Sequence, residues 1–394
     1  ARAEPLTTTP RSADNGLVSL SDSGRIWHML GNPGELAEPV AALVKTRIEP
    51  IVQERRAAFF AQNSATAENP DDVPLRVLLV RAEDLAVSDV ADLLVSEVEE
   101  EEGRPQNNLV FNGFPAFAPE NQDNFAIANV DSIQVTSSPD ISDVMVKVRA
   151  LKPHIIVAMT TGEFLMNDAL PAIENQWDAA TMPIAPDQPP PFYVFSHRMI
   201  LSSASLAGLS ATFSNRELAS RMVGVNYASA SDTIAAMLKT TFGEGITRAY
   251  PDSQHVEDLP ETENFYDAAY YMAYSLLGSI VTGREPTGEL LLFALENRLM
   301  DSDQNAEIAN VGSFSVADIV SGLSRPTYSI RLRGTMGLPD FDPILGTRES
   351  EISAWCFELD DTLDPPAWVR RNNVSRYDTD DEVFTSDLPC ITGP

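Results

Sequence analysis

A chain of 394 residues with 58 acidic and 27 basic side chains, a formal net charge of −31, is long enough for two domains that each bury a full core. A surface of that sign repels phosphate backbones and anionic headgroups, which argues against nucleic acid or an anionic membrane face as partners. No apolar run reaches the roughly 18 residues of a membrane span, and the longest, residues 268–281, carries three tyrosines.

The chain opens at Ala1 without a charged and apolar leader, as a processed, exported chain would, and an upstream part is expected to have been removed. Thr7, Thr8 and Thr9 follow a short apolar lead, residues 24–30 (GRIWHML) read as a strand, and residues 33–62 hold a long helical pattern. Residues 63–74 form a polar linker.

Four short, β-branched runs then read as strands buried on both faces: 76–80 (RVLLV), 132–135, 154–158 (HIIVA) and 192–195 (FYVF). Helix-period segments lie between them at 86–98, 141–151 and 164–176. In the second, Ile141, Val144, Val148 and Leu151 make the apolar stripe, Asp140 is placed to cap it and Pro153 to stop it. Alternation of this kind predicts right-handed crossovers and a mainly parallel sheet.

Beyond residues 224–227 the pattern is helical at 232–241, 264–281, 288–299 and 316–323. A strand pair is expected at 328–332 and 352–357, joined by a segment rich in turn residues (Gly334, Gly337, Pro339, Asp340, Asp342), and residues 365–394 read as a polar tail on the surface. There is no internal repeat.

Open parallel sheets bind ligands outside the carboxyl ends of their strands. Thr160, Thr161, Gly162 and Glu163 follow HIIVA, and Ser196 with His197 follow FYVF, so hydroxyls, amides and one ionisable ring converge on that edge. Such groups suit a small polar ligand; capping of helices and satisfaction of loop backbone is the equal alternative. His28, His154, His197 and His255 are too scattered for zinc, and His154 reads as a satisfied core residue. Asp301, Asp303, Asn305 and Glu307 alternate like a calcium loop but lack its glycine, which is Ala306 here, so no metal and no cofactor is expected. The carboxylates at Glu97 and 99–102 read as a solvated helix end, and the tyrosines at 266, 270, 271 and 274 as a core-facing stripe. No nucleophile elbow, phosphate loop or dinucleotide fingerprint is present, and no enzymatic activity is expected.

Cys356 and Cys390 are the chain's two cysteines. A bridge would close a loop of about 35 residues and contribute on the order of 3–4 kcal/mol; two unpaired thiols is the even alternative on sequence. Taken with the processed start, a bridge in an oxidising compartment is the expectation.

The phrases RVLLVRAEDLAVSDVADLL, KPHIIVAMTTGEF, PFYVFSH, RMVGVNYA, ENFYDAAYYMAYSLL and SIRLRGTMGLPDFDPILG, in this order, resemble the type I periplasmic binding proteins of the branched-chain amino-acid and receptor ligand-binding kind. The resemblance implies an α/β fold of two doubly wound, mainly parallel lobes joined by a hinge, with an amino-acid-like polar ligand held between them for a membrane transporter or sensor. It divides the chain into 1–74 (end of the first-lobe opening segment plus linker), 75–226 (second lobe), 227–326 (first-lobe return), 327–360 (second-lobe return) and 361–394 (surface tail). Thr7 to Thr9 resemble the remnant of the first lobe's hydroxyl-rich ligand loop, while Ala86 stands where the family often has an aromatic residue. The first lobe lacks opening βα units in this sequence, so a partner segment or homo-oligomer contact is expected to cover it. The implied location is periplasmic or extracellular, as a secreted protein or envelope-anchored lipoprotein. The alternative is a structural subunit of an extracellular or envelope assembly that reuses the binding fold.

Overall fold

The computed structural model describes residues 7–9, 26–28, 33–82, 85–95, 109–130, 141–160, 168–177, 179, 183–195, 216–228, 262–281, 283, 285–301, 306–312, 315–338, 341, 348, 350–360 and 367–391. They fall into two compact units: a sheet unit of Pro33–Asn226 with Ile352–Pro394, and a helical unit of Ala1–Asn32 with Tyr227–Glu351.

In chain order, β1 (Thr7–Thr9) and β2 (Ile26–His28) precede α1 (Ala37–Leu43) and α2 (Glu49–Asn63), which a π-helical turn at Val44–Ile48 makes continuous. Then come β3 (Val77–Ala82), α3 (Leu85–Val95), the hairpin strands β4 (Val110–Phe111) and β5 (Phe114–Pro115), and β6 (Phe125–Val130). The alternation continues with α4 (Ser142–Leu151), β7 (Ile155–Met159), α5 (Leu170–Trp177), β8 (Phe192–Phe195), α6 (Arg216–Ala219) and β9 (Met222–Tyr227). Next are α7 (Thr262–Ile280), α8 (Gly288–Ala294), β10 (Ile308–Asn310), α9 (Val316–Leu323) and β11 (Arg331–Arg333). β12 (Ile352–Asp360), β13 (Ala367–Asp378) and β14 (Val383–Phe384) end the chain's regular structure.

The fold class is α/β, and the eight strands of the sheet unit run β14-β13-β12-β9-β8-β7-β3-β6. The five from β9 to β6 pair in parallel, with Val77 beside Phe125 on one flank and beside Ile155 on the other. Their sequences are continuous apolar runs because both faces are covered, as parallel sheets require. Alternate residues Leu78, Val80, Ile156, Ala158, Tyr193 and Phe195 share one face, where Val144 and Val148 of α4 and Ile173 and Trp177 of α5 pack on them. α4 stops where Lys152 takes a left-handed φ of 50° and donates its N–H to Val148 O at 2.8 Å, one residue before Pro153. On the opposite face α3 packs over β3 and β7 and against α1.

The hairpin turns on Asn112 and Gly113, both at positive φ (53° and 81°), which is the twist-compatible pairing for a two-residue connection. The Asn112 amide replaces a missing strand at the entry to β3: it donates to Leu75 O and accepts from Leu75 N–H, each at 2.9 Å.

In the helical unit, Ala268, Tyr271 and Tyr274 of α7 pack with Leu295, Leu299, Ile319, Leu323, Ile330 and Leu332. β1 with β2, and β10 with β11, form two small parallel pairs.

Several expectations from the sequence are redrawn. Residues 33–74, expected with the first lobe, belong to the sheet unit. The buried side of α1 (Val40, Leu43) sits among α3 and β14, Arg47 Nη2 donates to Phe384 O, and Arg56 Nη2 donates to Val73 O at 2.7 Å. The segments 328–332 and 352–357 do not pair: β11 lies beside β10, and β12 beside β13. The supposed surface tail contributes β13 and β14, since Val383–Phe384 and the adjoining strand give the sheet an antiparallel edge. The second strand of the sheet is Phe125–Val130, where Ala126, Ala128 and Asn129 weaken the β signal. The strand expected at 132–135, the helix at 232–241, Asp140, Asp303 and Asn305 lie outside the described residues.

Candidate functional site

Numbered by order within the parallel run, the strands β6-β3-β7-β8-β9 follow the order 2-1-3-4-5. After β3 the chain crosses to β6 on one side; from β6 it returns to β7 on the other side of β3. The connections leaving β3 and β7 therefore part to opposite faces: α3 packs on one, α5 on the other. The carboxyl ends of β3 and β7 are thus the switch point, where open α/β sheets receive ligands.

Thr160 follows Met159, the last residue of β7, and is 3 % exposed. Arg81 stands beside Met159 in the register and forms an ion pair with Asp92 of α3. Its Nε is buried and makes no hydrogen bond. The pair is partly exposed, so its own contribution to stability is small, but it holds a guanidinium near the carboxyl end of β3. The strand reading passed over Arg81; a charged fifth residue in the run VLLVR was the signal. A guanidinium at the carboxyl end of such a strand can hold a carboxylate or another hydrogen-bond acceptor.

Of the residues expected at the site, Thr160 lies at the switch point. Thr161, Gly162, Glu163, Ser196 and His197 lie outside the described residues, as does the structure around Ala86's side chain. Thr7, Thr8 and Thr9 form β1 of the helical unit and pair with Ile26, Trp27 and His28. Cys356 and Cys390 are bonded to each other, with Cα atoms 5.9 Å apart, and join β12 to the end of the chain. Among the described residues no cluster of metal ligands is present.

Two ion-pair networks of the sheet unit occupy the opposite, amino edge. Arg76 Nη2 holds the Glu68 carboxylate at 2.9 and 3.0 Å just before β3, and His154 precedes β7 with its Nε2 3.5 Å from Glu68 Oε2. Burial raises the Glu68 carboxyl, but His154 and Arg76 outweigh it and hold it at about 2. Next to β8 and β9, Arg221 forks onto Glu174 at 2.9 and 2.6 Å, and Tyr193 donates its hydroxyl to the same carboxylate at 2.6 Å. Burial alone would lower the Arg221 guanidinium; Glu174 more than compensates and raises it. Ion-pair networks perturb proton affinities without being functional sites. Their position at the amino edge, sealing strand starts, identifies these two as structural.

No protein-family model and no curated protein matches the chain. Solved structures do resemble it, and they are solute-binding proteins of ABC transporters. One from Rhodopseudomonas palustris BisB5, in complex with 3,4-dihydroxybenzoic acid, is 11 % identical with a TM-score of 0.45, over 89 % of this chain and 69 % of that one. A second from R. palustris, in complex with benzoate, is 9 % identical (TM-score 0.42; 93 % and 70 % covered). A substrate-binding protein from Desulfitobacterium hafniense is 12 % identical (TM-score 0.40; 93 % and 73 % covered). Likeness at this level leaves the ligand of this chain open.

Proposed function

We propose that this chain is a solute-binding protein that captures a small polar molecule at the carboxyl edge of its parallel sheet. The observation that supports the reading is the 2-1-3-4-5 strand order, whose switch point lies at the carboxyl ends of β3 and β7; Thr160, which follows β7, is proposed as a contact there. Arg81, near the end of β3 and opposite Met159, supports a ligand with a carboxylate or another hydrogen-bond acceptor. Thr161, Gly162, Glu163, Ser196 and His197 follow β7 and β8 in the sequence and are proposed as further contacts. In this reading the chain is exported, acts outside the cytoplasm and delivers its ligand to a membrane transporter or sensor.

A thermal-shift panel of amino acids, small carboxylic acids including benzoate and 3,4-dihydroxybenzoate, amides and short peptides tests it. At a ligand concentration about 100 times Kd, binding to the native state stabilises by roughly 2.7 kcal/mol, a readily measured rise in Tm. Thr160→Val keeps the shape and removes the hydroxyl, and is expected to weaken the response at least about tenfold in concentration. A melting temperature unmoved by the whole panel at millimolar concentration refutes the proposal.

A further inference from the structure

α7 is the least charged long element of a strongly acidic chain: its charged residues are Glu263 and Asp267, and none follows from Ala268 through Val281. A helix apolar all round is normally covered all round. Here one side faces the core through Ala268, Tyr271 and Tyr274, but the other is open. Phe265, Leu276 and Ile280 are 44 %, 41 % and 49 % exposed, and Ala269 and Ala273 are exposed between them. With 3.6 residues per turn these five positions share an arc of about 80°, a continuous stripe about 22 Å long.

We infer that this stripe is the contact between two copies of the chain, with α7 packed antiparallel on its counterpart about a two-fold axis between Met272 and Ala273. That axis sets Phe265 opposite Ile280 and Ala269 opposite Leu276 of the second copy, so a large side chain meets a small one at the inner positions. Self-complementarity of this kind is what an isologous interface needs, and an arbitrary apolar stripe does not have it. Charge selects the occupant as well. Two molecules of net charge −31 repel, and a face without carboxylates is where they can touch without desolvating like charges. A seam of one helix stripe from each copy lies at the small, transient end of specific interfaces, below roughly 1,200 Å² in total.

Sedimentation equilibrium of the full chain tests this. A monomer–dimer equilibrium is expected, tightening as sodium chloride rises and screens the net repulsion. Leu276→Asp puts two carboxylates into the seam and should raise the dissociation constant by roughly a hundredfold, with the melting temperature unchanged because the site is exposed. Ala269→Leu alone should weaken the dimer, and Ala269→Leu with Leu276→Ala should restore it to within about threefold, since the large and small partners have only changed places. Both native cysteines are in the Cys356–Cys390 bond, so Ala273→Cys, next to the axis, reports contact directly. Mild oxidation should link it to its counterpart, and should not link Val146→Cys, 59 % exposed on α4 of the sheet unit. A chain that stays monomeric throughout, a dimer indifferent to Leu276→Asp, or cross-linking at Val146 as ready as at Ala273 overturns the inference.

Discussion

The backbone N–H of Arg76 points at Nδ1 of His154, 2.9 Å away, so the ring accepts there and carries its proton on Nε2 as the neutral form. Burial, with the Arg56 and Arg76 charges against it, lowers the ring to about 4 even though Glu68 favours the cation. The unfolded chain, whose histidine titrates near 6.5, therefore binds the extra proton between about pH 4 and 6.5, and the sheet unit gains stability as pH rises through that window. The span corresponds to on the order of 3 kcal/mol. Glu68, held at about 2, adds stability above the ordinary carboxylate value of 4.5 that is lost as pH falls towards 2. His154→Gln, which can still accept from Arg76, should flatten the rise in Tm between pH 4 and 6.5 and reduce the loss below 4.5 to the part that Arg76 sustains. A slope unchanged in that variant removes His154 as its source.

Asp267 works in the opposite direction. It is wholly buried on α7 and accepts the N–H groups of Thr335 at 2.8 Å and Met336 at 3.1 Å. Burial raises its carboxyl to about 6, with those amides and Arg348 opposing. The folded state thus holds a proton that the unfolded state releases between about pH 3.8 and 6, and the helical unit loses stability as pH rises across that range. Asp267→Asn abolishes the slope and keeps an acceptor for one of the two N–H groups but turns its amide NH2 towards the other, at a cost of about 1–3 kcal/mol. Calorimetry from pH 4 to 6 should show the transition of the helical unit descending in Tm in the native chain, and lower but level in the variant, while the transition of the sheet unit rises in both.

The sheet was legible where the chain is most constrained. Runs such as IIVAM and FYVF are buried on both faces and leave no amphipathic helix as an alternative. The stripe Val144–Val148 and the stop at Pro153 likewise specify α4 locally, and Val316–Leu323 reads as α9 to the residue. What escaped depends on partners far along the chain. Phe125–Val130 is a strand because Val77–Ala82 offers it an edge, and β13 because β12 does. α1 and α2 joined the sheet unit through contacts such as Tyr377 with Glu38, separated by more than three hundred residues, for which no local pattern exists. At the candidate site the position of Thr160 follows from strand order, whereas the pairing of Arg81 with Asp92 needed a helix laid back on its own strand.

Arg298 is a buried cation held by carbonyls alone. Its Nε donates to Tyr328 O at 3.2 Å, Nη1 to Gly278 O at 2.9 Å, and Nη2 to Leu323 O at 2.8 Å and Arg325 O at 2.6 Å. It ties the C-terminal carbonyls of α9 to α7 and to the entry of β11, where Tyr271 of α7 also donates its hydroxyl to Leu332 O at 2.6 Å. Arg298→Lys retains the charge but cannot span the fork, and Arg298→Met leaves several carbonyls unsatisfied. Both should destabilise the helical unit, the methionine variant by about 3–5 kcal/mol in urea unfolding. Destabilisation below about 1 kcal/mol in both variants would mean that water replaces the guanidinium at little cost.

Gly224 lies in the middle of β9, where its lack of a side chain admits the Trp355 ring of β12. A Cβ there would stand 2.6 Å from Trp355 Cε2 and 2.9 Å from Phe195 O. The ring cannot retreat: it stacks on Phe195 at 5.8 Å, meets Phe357 edge-on at 5.3 Å, and donates its indole N–H to Val225 O. Gly224→Ala should therefore cost at least the 1–3 kcal/mol typical of overpacking, and it should act where β9 joins β12. Because Trp355 is the reporter, its near-ultraviolet circular dichroism and fluorescence should change in the native state of the variant, before any unfolding. Trp355→Leu in the same background vacates the space and should recover part of the lost stability, a coupling between two touching residues that a double-mutant cycle measures directly. Additive effects of the two substitutions would show that the glycine is required for something other than this ring.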